Sequence, residues 1–484
     1  MSYNSFVYNI GYCPPAIIDS GVAMVEFRLL SGYDGEFGFD WYRKDDEGKH
    51  AYKAIALSSL EEIGREYPQF QMIVKYTMTY HVPYLTLFAP ETVQREAQGE
   101  CKAELAMRIT TFEEVEKIVF EYDKDLLRVE LGGKEGDVLT AEEIKMVEAG
   151  QKTYTICIEC LDKGDGFDDA QEIKVWAYPK QGSSNLPRVV AVAKKKTDTN
   201  QGNTQQNTNA NTVYQERMLA GKILLPANSA KHRRKIDVVI VKVLTNIEPI
   251  VGDGALTIED PSDADFKRLV KTLNQSLTLV NIEKDIKTLD LTQNNDFKIR
   301  KDSRGKEIFG RYIFNKYAEK VECPDETTDR TLAQNRKGFY EELQRLFFSV
   351  KGNDKYANHY LAFYFADMAY TSYITSEGEY KKTTGQVQGL NTKSVALFKD
   401  HDEYDLSHEM LHCFGVLHPF SKDAKHQFRK YLTDNVADYT VPQKKGQKPD
   451  TTKISTWVWQ WRQVNFKLNT KVVEKNAKPE EGSP

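Results

Sequence analysis

The chain has 484 residues, 28% of them charged and 40% hydrophobic, and carries a net charge of −5 with acidic and basic residues interspersed. That length exceeds what one ordinary core accommodates, so about two to four domains are expected, and the charge balance excludes the basic stripe of a nucleic-acid binder. No apolar run is long enough for a membrane span, and the amino terminus lacks the basic-then-apolar order of a signal peptide, so synthesis in the cytoplasm without a cleavable leader is expected.

The first 193 residues read as strands. Segments 22–30, 71–80, 103–109, 118–122, 127–131, 154–161 and 172–177 are short runs rich in β-branched and aromatic residues bounded by turn residues. Two brief helical patterns fall at 57–66 and 141–148. The sum predicts a β-rich, sandwich-like region of one or two modules. Segment 35–41, Gly-Glu-Phe-Gly-Phe-Asp-Trp, lacks the strand-to-helix context of a nucleotide loop, so its aromatics belong to a core or to a docking surface. The six cysteines have no framework spacing, and Cys157 and Cys160 lie in a strand pattern, which favours core thiols over a metal or redox pair.

Residues 194–212 are polar throughout and form the clearest linker. Beyond it, in 213–484, the period changes. The cluster at 231–235 (Lys-His-Arg-Arg-Lys) introduces an apolar strand at 236–244; Ser262 caps a helix over 263–273; a strand follows at 277–282. An insertion-like region over 285–355 holds an amphipathic helix at 335–348. Strands are expected at 359–366 and 394–399, and segment 385–390 reads as an edge strand able to pair with an extended substrate.

The next segment carries the chemistry. His408-Glu409-Met-Leu-His412-Cys-Phe-Gly415-Val-Leu-His418 places three imidazoles and a carboxylate at spacings that build an open zinc site. Residues four apart share a helix face, so His408 and His412 can bind one ion. Gly415 can take the left-handed conformation that ends a helix and swings His418 back as a third ligand. Three protein ligands leave a fourth position open, which marks a catalytic rather than a structural zinc site. Glu409 is the natural general base, taking a proton from the activated water and passing it to the leaving amine. Cys413 points about 100° away from His412 on the helix and is expected in the core. His401 and His426 fall outside the spacing and are expected at the surface.

These five positions reproduce the H-E-x-x-H-x-x-G-x-x-H signature, and in them the chain resembles the metzincin zinc endopeptidases. The resemblance implies an α+β catalytic domain with a twisted mixed sheet, a zinc-binding helix and a methionine turn beneath the metal. Segment 433–439 resembles that turn with Ala437 in the methionine's place, and Tyr439 takes the position of an auxiliary ligand or oxyanion donor. Alanine there leaves a void unless a bulkier neighbour, such as a tryptophan from 457–461, fills it. Those tryptophans are expected to head a terminal helix and to pack mainly on the zinc domain, with at least one meeting the front half or a partner.

The expected activity is therefore hydrolysis of a peptide bond in a protein or peptide substrate. A catalytically silent binding or structural component, or a cell-wall amide hydrolase, stays open beside it. The 35–41 segment, the strand-rich front half and the Ala437 turn with the carboxy-terminal tryptophans together also show a weaker resemblance to bacterial type VI secretion effectors. That resemblance implies export by a contractile injection system, a front half that loads or targets the toxin, and a secretion-apparatus or immunity protein as partner.

Overall fold

The structure is a computed structural model that describes residues 16–18, 21–43, 54–73, 77–150, 154–161, 164–180, 217–245, 261–310, 312, 328–367, 369–374, 380–439 and 453–465. It is a mixed α and β protein dominated by strands in several sheets. No helix among these residues is long and apolar enough to cross a membrane. The expected linker at 194–212 lies outside the described residues.

In the front half a five-stranded sheet runs in the order Lys134–Glu135, Leu127–Leu131, Tyr154–Cys160, Lys102–Thr111, Ala23–Leu29. A six-stranded sheet runs Val138–Thr140, Val115–Glu121, Gln171–Pro179, Met218–Leu225, Tyr84–Thr86, Gly38–Asp40. Alternate residues of both sheets enter one core: Val25, Phe27, Leu105 and Ile156 from the first, Phe120, Ile173, Val175 and Ile223 from the second. The period-two pattern read from the sequence is the inward face of this sandwich. Segment 71–80, read as one strand, is instead a hairpin of Gln69–Ile73 and Thr77–His81.

Met218–Leu225 follows the polar stretch yet pairs antiparallel with Gln171–Pro179. The strand after the linker thus belongs to the front half's sheet, and the second half's sheet begins with Arg234–Leu244.

The second half is built on a mixed sheet in the order Thr278–Ile282, Arg234–Leu244, Tyr360–Phe365, Ser394–Leu397, Gly385–Val387. The first four strands are parallel and the last is antiparallel. Both faces are covered, which explains near-continuous apolar runs rather than alternation. Val238, Ile240, Tyr360 and Ala362 face one core with the helices Asp263–Asn274 and Asp405–Cys413. Val239, Val241, Leu361 and Phe363 face the other, under Phe339, Leu343 and Phe347 of the helix Thr328–Ser349.

The halves are joined by contacts that range from buried to exposed. Asp34 accepts from Arg268 Nη2 at 2.6 Å and Lys271 Nζ at 2.7 Å. Gly38 is required where it lies against the end of the helix Asp263–Asn274, since a Cβ there would stand 2.5 Å from the Gln275 carbonyl oxygen. In the basic cluster, Lys231 pairs with Asp168, Arg233 with Asp165 and Lys235 with Glu96, all carboxylates of the front half. The strand Phe428–Thr433 pairs with Ala54–Ala56 across the divide.

Candidate metal centre

Every residue from Leu406 to Cys413 in the helix Asp405–Cys413 is buried. Leu406, Met410, Leu411 and Cys413 fix its depth by packing with Leu269, Leu273 and Tyr360. The helix ends as the sequence predicts. Gly415 has φ 85°; its N–H donates to His412 O at 2.9 Å and the Val416 N–H to Leu411 O at 3.1 Å, the paired bonds of a glycine-terminated helix. A Cβ at Gly415 would also stand 2.6 Å from Asn391 Oδ1. The reversal returns the chain so that His418 faces the helix.

The three Nε2 atoms converge, with His408–His418 at 3.1 Å, His408–His412 at 3.2 Å and His412–His418 at 3.2 Å. His408 and His412 are buried and His418 is partly so, and together they could hold a metal ion. The chemistry of the donors favours a cation. His408 Nδ1 lies 3.0 Å from Val436 O and His412 Nδ1 2.6 Å from Val416 O. A carbonyl only accepts, so each Nδ1 carries the hydrogen and each Nε2 presents a lone pair. With both imidazoles neutral, two lone pairs meet at 3.2 Å, an arrangement that a cation between them relieves. Burial lowers the His408 pKa to about 4, with the Lys453 charge adding to the effect against the Val436 hydrogen bond. Burial, then the neighbouring histidines and Lys430, lowers that of His418 to about 2. Nitrogens about 2.0–2.1 Å from a tetrahedral zinc lie about 3.3–3.4 Å apart, so the triangle of Nε2 atoms fits such an ion closely.

Glu409 is 9% exposed and stands against the edge strand. A Cβ on Gly385 would lie 2.9 Å from Glu409 Cγ and 3.1 Å from Oε1, so glycine at that position makes room for the carboxylate. Tyr439 stacks on His408 at 5.3 Å between centroids and tilts against His418 at 4.7 Å. Phe420 stacks on His418 at 4.9 Å between centroids. The three histidines and Tyr439 are therefore in mutual contact, while Glu409 follows His408 on the same helix with its carboxylate against Gly385.

Beneath them the turn is held by buried polar groups. Asp438, 2% exposed, accepts from the Tyr431 N–H at 3.0 Å and the Tyr439 N–H at 2.9 Å with Oδ1. Its Oδ2 accepts from Thr433 Oγ1 at 2.9 Å and Lys453 Nζ at 3.2 Å. From the front half, Arg43 lies between Asp40 at 2.7 Å and Asp434 at 3.2 Å, with both carboxylates fully buried. Ala437 is buried in the cluster of Met410, Val436 and Val464. The tryptophans do not fill that place. Trp457, Trp459 and Trp461 pack with Ile63, Tyr67, Phe70 and Tyr84 of the front half, so the expectation that they rest mainly on the zinc domain is corrected.

His426 is also corrected, because it is 5% exposed and its Nε2 lies 2.8 Å from Glu66 Oε1. His401 is partly buried against Asp265 at 3.3 Å. Cys157, Cys160 and Cys413 are buried and outside any disulfide, and burial raises the Cys157 pKa to about 11, away from the reactive range. Phe37, Phe39 and Trp41 of the 35–41 segment are buried, which makes them core. Sequence reasoning missed Asp438, Lys453, Arg43, Phe420 and Lys430. Among these only Phe420 had a local signal, an aromatic two residues past the third histidine. No protein-family model matches the chain, and no curated protein matches it at a significant level.

Proposed function

We propose that the chain is a zinc-dependent endopeptidase of metzincin type. The observation that carries this reading is the trio of Nε2 atoms at 3.1–3.2 Å, two of them with Nδ1 committed to backbone carbonyls. With only three protein donors, all imidazole, the site suits zinc with an open position better than a closed structural centre. A bound zinc ion would supply Lewis acidity, activating a water and polarising the scissile carbonyl.

The chain's own residues supply the rest. Glu409, wedged between its helix and Gly385, takes the proton of the attacking water and returns it to the leaving amine. Tyr439, held by its N–H on Asp438 and by ring contacts to His408 and His418, offers a hydroxyl to the negative charge that develops on the carbonyl oxygen. The edge strand Gly385–Val387 lies along Glu409 and is the wall against which an extended peptide would align. Delivery by a contractile injection system belongs to the same proposal, on the resemblance of the front half and the carboxy-terminal segment to such effectors.

The test is cleavage of a panel of unfolded proteins by the zinc-loaded full chain and by Glu409→Gln. Wild type is expected to cut, and the variant to lose about 10²–10⁴ in rate at equal zinc content. Equal rates, including equal inactivity on every substrate, would refute the reading.

A further inference from the structure

The rings around the histidines lead outward to a lysine. Tyr439 and Phe420, both in contact with His418, also contact Lys430. Its Nζ lies 4.8 Å from the Tyr439 centroid, 4.9 Å from that of Phe420 and 4.8 Å from that of Tyr431. Lys430 is partly buried, and it forms no ion pair with a carboxylate among the described residues. Nearby cations differ: Lys453 pairs with Asp438, Arg43 with Asp40 and Asp434, and Lys425 and Arg462 with Glu66. Ring faces offset part of the desolvation of an ammonium, but its hydrogens still need acceptors.

The backbone around Lys430 is held in an uncommon conformation. Tyr431 has φ 69°, a value that a bulky residue rarely adopts, and the pairing of Phe428–Thr433 with Ala54–Ala56 loses register here. The strained Tyr431 N–H donates to Asp438 Oδ1, the same oxygen that takes the Tyr439 N–H. One buried carboxylate therefore fixes the Lys430 segment and Tyr439 in a common frame. Strain maintained by a buried network beside a reactive centre is the pattern of a positioned group.

We infer that Lys430 determines specificity by receiving a carboxylate of the substrate near the scissile bond, so that the enzyme selects peptides with an acidic residue there. This rests on the hydrolase reading above. Lys430 meets the Tyr439 ring but is not one of the three histidines proposed to hold the metal and takes no part in the proton transfers, so its contribution is to binding and alignment.

Calorimetry on the zinc-loaded full chain with three peptide hydroxamates, alike except for Glu, Gln or Lys beside the chelating group, reads this charge directly. Wild type is expected to bind the Glu probe about tenfold more tightly than the Gln probe. Lys430→Arg should keep that ratio, Lys430→Met should bring it close to one, and Lys430→Glu should turn the preference to the Lys probe. Equal affinity of wild type for the Glu and Gln probes, or a preference that survives Lys430→Met, overturns the assignment while leaving zinc and catalysis intact. A chain that takes up no zinc overturns the hydrolase reading itself, and the assignment with it.

Discussion

Replacing Arg43 with methionine should cost the protein about 3–4 kcal/mol and loosen the metal centre. The guanidinium is 5% exposed and bridges Asp40 and Asp434, both with side chains at 0%; it also lies 3.9 Å from the Trp41 ring centroid. Removing one partner from a buried ion pair costs about 3–5 kcal/mol, because the remaining charge stays buried, and the lost ring contact adds about 1 kcal/mol. Two features pull the total toward the lower end. Asp40 keeps the Tyr67 hydroxyl at 3.0 Å and the Val458 N–H at 2.8 Å, and burial already raises its pKa against the opposing Arg43 charge, so it can take up a proton. Urea unfolding followed by tryptophan fluorescence measures the loss, since Trp41 and Trp457 both lie near Arg43. Zinc affinity should weaken in parallel, because Asp434 begins the turn that carries Val436 O and Tyr439. A loss below about 1 kcal/mol, or a full loss with unchanged zinc affinity, would refute the idea that the front half braces this turn.

Gly385→Ala should lower kcat about tenfold or more at unchanged zinc content, because its Cβ would push Glu409 aside; an unaltered kcat would show that the carboxylate works elsewhere. Tyr439→Phe should reduce kcat by about tenfold with little change in metal affinity if the hydroxyl serves the oxyanion, whereas a selective loss of zinc would make it a ligand. Gly415→Ala imposes a side chain on φ 85° and against Asn391, so thermal unfolding should show about 1–3 kcal/mol of destabilisation. Burial alone would raise the Glu66 pKa, but hydrogen bonds from His426 and Lys425 and the charges of Lys425 and Arg462 hold it at about 2. Its stabilisation is therefore complete above the unfolded value of 4.5 and lost as pH falls toward 2. After discounting for solvent screening it amounts to about 2 kcal/mol. Glu66→Gln should remove that part of the acid sensitivity, and an identical acid profile for wild type and variant would contradict it.

Local features of the chain were legible and distant pairings were not. The zinc-motif helix, its glycine stop and the third histidine are written within eleven residues, because helical spacing and a left-handed glycine are short-range properties. The sandwich pattern and the two-sided strand Arg234–Leu244 were visible through the periodicity of their apolar residues. The carbonyls of Val436 and Val416 leave no trace in side-chain identity, so the orientation of His408 and His412 could not be read. His426 looked like a stray surface histidine because its partner, Glu66, is 360 residues away. Arg43 and Asp434 are separated by 391 residues, and no local pattern announces such a pair. The hairpin at Gln69–Ile73 and Thr77–His81 was missed because Val74, Lys75 and Tyr76 between them are not turn residues. The tryptophans were assigned to the nearer domain in sequence, whereas the larger apolar surface they cover belongs to the front half.

Zinc K-edge absorption on the full chain with one equivalent of zinc is the measurement that bears most directly on the three-histidine centre. The expected spectrum has four nitrogen or oxygen donors at about 2.0–2.1 Å with the outer-shell scattering of three imidazoles, and His412→Ala should lose it. A sulfur shell at about 2.3 Å, four imidazoles, or no protein-bound zinc would contradict an open site held by His408, His412 and His418.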